Sequence, residues 1–306
     1  KELSPKALTG EILLNLDTEE DDEIIIGCAG AVDVSAYHDY TEEATPSGVV
    51  AYQLSVTGLM GGHSGQNIHM GRGNANKVMN RLLLGQYEKY GISQLHGGGL
   101  RNAIPRESEA LVVVPAEHKA AFEKEFAENA ALIKKELHPV EADLSITFKE
   151  VAAPSKVMDV KSQLAFVRTV AAAHSGVYAM SRSVEGLVEA SNNLANVKVE
   201  NGKIAILCMT RSSVDSSKHD LATSLQAAFE LAGYRVEFSG SYPAWEPNAD
   251  SPILHVLTDI YERLFQEKPK VAAIHAGLEC GLLGEHFSHI DMISFGPTIL
   301  GAHSPI

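Results

Sequence analysis

The sequence predicts an α/β fold in which one domain is interrupted by another, and three observations predict it. Near the start, Ile12-Leu-Leu-Asn-Leu-Asp17 is an apolar run ending in a carboxylate, the pattern of a buried strand that presents an acid at its tip. Near the end, Gly296-Pro-Thr-Ile-Leu-Gly-Ala-His303-Ser-Pro is a Gly/Pro-rich loop that delivers an imidazole. Between them lies a long section in which strand-like and helix-like segments mix. Aspartate and histidine are ordinary ligands for divalent metals of the zinc type, so the two ends of the outer domain are expected to meet at a metal.

The elements follow in order. Residues 11–17 read as a strand, 19–23 as an acidic turn, and 24–26 as a second short strand running into the small-residue stretch Gly27-Cys-Ala-Gly30. Pro46-Ser-Gly48 is a turn, residues 49–58 alternate as a half-buried strand does, and 58–73 form a glycine-rich loop. Residues 74–90 have helical spacing, through Val78, Leu82 and Tyr87, with Gly91 as the stop. A loop at 100–105, a strand at 109–114, a helix at 115–138 rich in Ala, Glu and Lys, a strand at 145–151 and a helix at 160–173 come next.

Residues 185–197 and 203–211 read as paired strands about an Asn201-Gly202 turn. A helix at 219–231 stops at Gly233, and a strand covers 235–239. The middle section is therefore expected to hold two related halves, 49–151 and 185–239. Trp245-Glu-Pro247 marks a composition break, and Asp250-Ser-Pro252 starts a helix that runs to Phe265, with Asp as cap and Pro in the first turn. Residues 271–274 and 292–295 read as buried strands ending in Gly-rich loops. Ligands gather at the carboxyl ends of such strands, and Asp17, His275, Glu279 and His303 all follow strands.

Composition narrows the function. The 306 residues give room for two domains of ~100–200 residues each. With 45% hydrophobic and 21% charged residues, a sizeable core is expected and disorder is not. A formal charge of −14 argues against a nucleic-acid surface. No run approaches the ~18 apolar residues of a membrane span. Cys28, Cys208 and Cys280, with no Cys-x-x-Cys, fit free thiols in a reducing, cytoplasmic compartment. The chain opens at Lys1 almost directly into a strand and stops just after a candidate ligand loop, so it is expected to be an excerpt of a longer polypeptide.

Several residues are candidates for chemistry. In Gly61-Gly62-His63-Ser64-Gly65 the glycines strip cover from the imidazole, which suits a donor to a developing oxyanion as well as a plain surface loop. Arg101-Asn102 and Arg211 suit a clamp on a substrate carboxylate, or structural ion pairs. Glu279 is the best unassigned acid for lining a site. His289-Ile-Asp291 looks like a metal pair but continues an apolar strand, and Glu19-Glu20 looks like a catalytic pair but sits in a run of five acids. Both are read as structural or solvated. There is no His-Glu-x-x-His, P-loop or Gly-x-Ser-x-Gly.

One ordered set carries a resemblance: Leu14-Asn-Leu-Asp17, Gly27-Cys-Ala-Gly30, Gly58-Leu-Met-Gly-Gly-His63-Ser-Gly65, Gly71-Arg-Gly-Asn-Ala-Asn-Lys77, Leu100-Arg-Asn-Ala-Ile-Pro-Arg106, Ile274-His-Ala-Gly-Leu-Glu-Cys-Gly281, and Ser294-Phe-Gly-Pro-Thr298 with His303-Ser-Pro305. Over nearly the whole chain it resembles the bacterial aminoacyl-histidine dipeptidases, also called cytosol non-specific dipeptidases or bacterial carnosinases, of the co-catalytic di-zinc exopeptidases. The resemblance implies a partial catalytic domain (1–30 and 246–306) with a large inserted α/β lid (31–245). It implies Asp17 and His303 as ligands of two divalent ions, zinc with manganese or cobalt as alternatives. It implies that His63 stabilises the oxyanion, that Asn102, Arg211, Glu279 and Thr298 hold or border a small peptide, and that a homodimer forms through the lid. The family's remaining ligands and its general base lie in a His-x-Asp motif, a bridging aspartate and a Glu-Glu pair that have no match here. This chain alone is therefore expected to be inactive and to bind zinc weakly or not at all. An N-acyl amino acid deacylase or carboxypeptidase of the same fold, or a non-catalytic assembly module, are the alternatives.

Overall fold

In the computed structural model, which describes residues 4, 7–18, 20–85 and 90–299, the strands fall into two main sheets built from interleaved parts of the chain. The smaller contains β1 (Ile12–Asn15), β2 (Glu23–Cys28), β14 (Lys270–Ile274) and β15 (Asp291–Ser294), in the order β1-β15-β2-β14. The pairs β1–β15 and β2–β14 are parallel, and β15 meets β2 antiparallel at Ser294–Ile25. Central β2 is buried on both faces, which is why it reads as an unbroken apolar run. Ile24 and Ile26 pack with Leu254 of α5 (Pro252–Phe265), while Ile25 and Cys28 pack with Trp245 and with Cys280 of α6 (Glu279–His286).

Edge strand β1 departs from the buried strand predicted. Ile12, Leu14 and Leu16 are 57%, 52% and 62% exposed, because no described element covers that face. The predicted cap of α5 moves by one residue: Ser251 caps it, and Asp291 accepts from Ser251 Oγ at 2.7 Å and Ile253 N at 2.9 Å. The carboxylate of His289-Ile-Asp291 thus fastens a helix start to β15, as the structural reading of that pair expected.

The larger sheet holds β3 (Gly30–Asp39), β5 (Val49–Thr57), β6 (Gly91–Gly98), β7 (Ser108–Pro115), β8 (Ser145–Val151), β10 (Gly176–Met180), β11 (Val188–Glu200), β12 (Lys203–Ser212) and β13 (Arg235–Tyr242). Its order is β13-β3-β12-β11-β6-β7-β5-β8, with β10 on β11. The strands β4 (Glu42–Ala44) and β9 (Lys156–Met158) form a separate ribbon, and the helices are α1 (Ala75–Leu84), α2 (Lys119–Leu137), α3 (Val160–Ala172) and α4 (Asp215–Leu231).

Two similar units emerge. One is β5-α1-β6-β7-α2-β8, with spatial order β6-β7-β5-β8; the other is β3-α3-β11-β12-α4-β13, with spatial order β11-β12-β3-β13. Both are split βαββαβ units with the same neighbour relations. The first is inserted between β3 and α3 of the second. They join edge to edge where Asn196–Val199 of β11 pair with Leu95–Gly98 of β6, and one apolar core runs beneath both.

Some elements differ from the sequence reading. Strand β3 completes the second unit but carries Asp33, Ser35 and His38 among its apolar residues, which hid its period. The first helix ends at Leu84, and Gly91 begins β6 rather than stopping a helix. Helix α6 contains two glycines, Gly281 and Gly284, and gave no helical signal.

Lys77 of α1 ties the units together. Its Nζ donates to the carbonyls of Val170 (2.8 Å), Ala171 (3.0 Å) and Ala173 (2.8 Å), satisfying the open end of α3 and placing a cation at the negative end of its dipole. Replacing it by methionine removes charge-assisted hydrogen bonds from partly buried carbonyls. Lys77→Met is expected to cost about 2 kcal/mol in urea unfolding, and a change below ~0.5 kcal/mol contradicts this anchoring role.

Candidate active site

The glycine-rich loop from β5 to α1 is tied at both ends by one buried carboxylate. Glu141 accepts from Met60 N at 2.7 Å and from Gly73 N at 2.8 Å. Within the loop, His63 forms a bridge with Ala103, Ser64 N donates to the Asn102 carbonyl at 2.8 Å, and Ile104 N donates to the Gly62 carbonyl at 2.8 Å. The His63 ring is fixed by its own loop: Gly65 N and Gln66 N donate to Nδ1 at 3.2 and 3.1 Å. An Nδ1 that accepts leaves the proton of the neutral ring on Nε2. Burial, then the nearby Arg211 cation, lowers the pKa of His63 and favours this neutral form. The result is an oriented Nε2–H donor.

The loop is seated on the smaller sheet. A Cβ at Gly65 would collide with the carbonyl of His275, which follows β14, so only glycine lets the loop rest there. His275 itself is buried, and its Nε2 lies 2.7 Å from Ser191 Oγ on β11.

Arg211 on β12 is 3% exposed. Its Nη1 donates to Tyr242 Oη at 2.8 Å and its Nε to Ser64 Oγ at 3.4 Å. Among the described residues no carboxylate forms an ion pair with it. Arg101 differs: it binds Asp33, the Cys208 carbonyl (2.9 Å) and Ser35 Oγ (2.7 Å), and so is spent on structure. Asn193 holds the next turn by donating to the carbonyls of Arg101 and Ala103 at 3.0 and 2.8 Å. This leaves the Asn102 side chain exposed beside the His63 bridge.

Asp17 stands exposed at the end of β1, on the wall of a cleft of about 320 Å³. Gln66 of the His63 loop and residues 276–278 line the same cleft, so it lies where the two sheets' loops meet. Phe295 N donates to the Asn15 carbonyl at 3.0 Å, Thr18 Oγ1 lies 2.6 Å from Ser294 Oγ, and a Cβ at Gly296 would strike the Thr18 carbonyl. The segment leading to exposed Thr298 therefore runs beside Asp17. His303 and Glu19 lie outside the described residues. Glu279 opens α6, exposed, one residue beyond the cleft-lining Leu278; an acid in a first turn favours the positive helix end. A larger concavity, about 930 Å³ and lined by residues including Tyr37, Lys198 and Arg235, contains none of the predicted site residues.

Among the described residues no three His, Cys, Asp or Glu side chains converge on one metal position. Asp17 is the one predicted ligand within them, and its open carboxylate suits a divalent cation. Sequence reading missed Glu141, Tyr242 and Ser191, which act through folded contacts and had no local pattern to betray them. It noted His275 only as a strand follower.

The cluster has a pH signature. His275 has its pKa pushed down to about 3, first by burial, then by Arg211, His63 and His69. Unfolded chains protonate histidine near 6.5, so between that value and about 3 the unfolded state binds the extra proton and the fold loses stability as pH falls. The expected slope from this group is about 1.4 kcal/mol per pH unit between pH 6 and 4 in denaturant titrations, and it should flatten by that amount in His275→Gln. Equal slopes in both proteins contradict a neutral, buried His275.

The chain is similar to known peptidases. Residues 54–141 match the model of the peptidase dimerisation domain. The chain is 39% identical over 300 residues to the cytosol non-specific dipeptidase of Escherichia coli K12, covering 97% of this chain and 62% of the relative. Its fold superposes on the crystal structure of aminoacylhistidine dipeptidase from Vibrio alginolyticus with a TM-score of 0.94 and 43% identity, over 99% of this chain and 62% of that one. The chain thus spans less than two thirds of the length of each.

Proposed function

Because the chain is a homologue of the cytosol non-specific dipeptidases, we propose that it forms part of a metal-dependent dipeptidase that cleaves small peptides, Xaa-His among them, in the cytoplasm. The larger sheet serves as lid (31–245) over a catalytic part made of 1–30 and 246–306. The observation that carries this reading is Arg211: a buried cation with only hydroxyl partners among the described residues, next to the oriented donor of His63. The Asp33 carboxylate, already paired with Arg101, acts on Arg211 only from beyond ion-pair distance; burying a charge without a direct ion pair is costly, so such a group anticipates an anion, and a dipeptide's terminal carboxylate is one.

Two divalent ions, zinc by preference, would be held by Asp17 and His303 with further donors, and when bound they supply an activated hydroxide and polarise the carbonyl. The protein's own residues do the rest. Arg211 fixes the carboxylate, Asn102 binds beside the bridge between His63 and Ala103, and Thr298 and Glu279 border the cleft. His63 Nε2–H donates to the oxygen on which negative charge develops; being neutral, it keeps its proton in place by the two N–H groups on Nδ1. An N-acyl amino acid would present the same carboxylate, so a substrate panel separates a deacylase from a dipeptidase. A homodimer through the lid accords with the matched dimerisation domain.

In the full-length, metal-loaded enzyme, His63→Ala is expected to lower kcat ~10²–10³-fold with little change in KM. A change confined to KM contradicts the oxyanion role.

A further inference from the structure

Tyr242 ends β13, where the chain passes from the larger sheet back to the smaller, and it is held in place on three sides. Its carbonyl accepts from the buried Lys218 Nζ at 2.8 Å. Lys218 is paired with Asp215 at 2.5 Å, and Asp215 also accepts from Ala244 N at 3.2 Å. The ring lies over Gly277, where a Cβ would sit 3.1 Å from Cε2 and 3.4 Å from the hydroxyl oxygen. Gly277 lines the cleft that contains Asp17. The hydroxyl oxygen accepts from Arg211 Nη1 at 2.8 Å.

That last bond has a consequence. The guanidinium can only donate, so the phenol oxygen is the acceptor and its own proton remains to be given elsewhere. Among the described residues no acceptor for it is in place. A hydroxyl donor and a buried cation therefore sit side by side, with the phenol ring against Gly277 of the cleft wall. We infer that Tyr242 is a second donor to the substrate's terminal carboxylate, acting with Arg211 to select peptides with a free C-terminus. This rests on the dipeptidase reading above and adds a residue to it. A carboxylate offers two oxygens to the two donors. A C-terminal amide offers one oxygen and an NH₂ that meets a donor, leaving buried groups unpaired, which is the stronger form of discrimination.

The test compares Tyr242→Phe with the parent, in the full-length, metal-loaded enzyme, on a dipeptide and on its C-terminal amide read as a competitive inhibitor. The phenylalanine keeps the packing on Gly277. The expected result is a ~10-fold rise in KM for the free acid, kcat within about twofold, and an unchanged inhibition constant for the amide. A merely structural role would move both ligands together, and that outcome, or an unchanged KM, overturns the inference. Arg211→Lys is the control. If it keeps full discrimination between acid and amide, the carboxylate reading itself fails. If it loses discrimination while Tyr242→Phe does not, only the role of Tyr242 fails. Gly277→Ala leaves the hydroxyl but sets a methyl against the ring, so it should shift KM in the same direction by less; an unchanged KM there also counts against the inference.

Discussion

The structure depends on one steric constraint: the absence of a side chain at Gly65. There the loop that carries His63 comes down on the carbonyl of His275, and any Cβ would hold the two apart. Through this seat the larger sheet meets the smaller, and Gln66 of the same loop reaches the cleft where Asp17 stands. The other contacts keep that seat in register. Glu141 ties the ends of the loop, Ser191 meets the His275 ring, and Tyr242 lies between Arg211 and Gly277.

The nested units explain how one chain gathers polar groups from distant segments into one cluster. A split βαββαβ sheet leaves an edge strand open, and open edges attract further strands. Here the edge of β6 is paired with β11 of the second unit, so the two sheets continue as one. The same joint sets residues from both units around the cluster. His63 and Asn102 come from the first unit's loops, Arg211 and Ser191 from the second unit's strands. Both units are needed to assemble a neutral donor beside a buried cation.

Much of this was legible in the sequence, for physical reasons that differ by element. Strand β2 was readable because burial on both faces demands an apolar run, and β5 because one face is wet and the other dry. The His63 loop was readable because close approach and left-handed backbone both select glycine. Strand β3 was not, since the polar groups on it serve partners far away in sequence: Asp33 and Ser35 bind Arg101. Helix α6 was masked by its glycines, of which Gly281 approaches the Pro243 carbonyl closely. The site split the same way. Asp17 and His63 carry local patterns, whereas Glu141 and Tyr242 matter only through partners that the fold brings to them. Even Arg101 and Arg211, alike in sequence, separate only when their partners are seen.

The central claim is that His63 and Arg211 act on one ligand in the cleft of their own chain. The most direct measurement is a crystal structure of the metal-loaded protein with a non-hydrolysable phosphinic dipeptide analogue. The account predicts the analogue's carboxylate within hydrogen-bond distance of Arg211, and His63 Nε2 on a phosphinyl oxygen, both from the chain that supplies Asp17. A carboxylate bound away from Arg211, or a His63 contributed by a second copy, would contradict it.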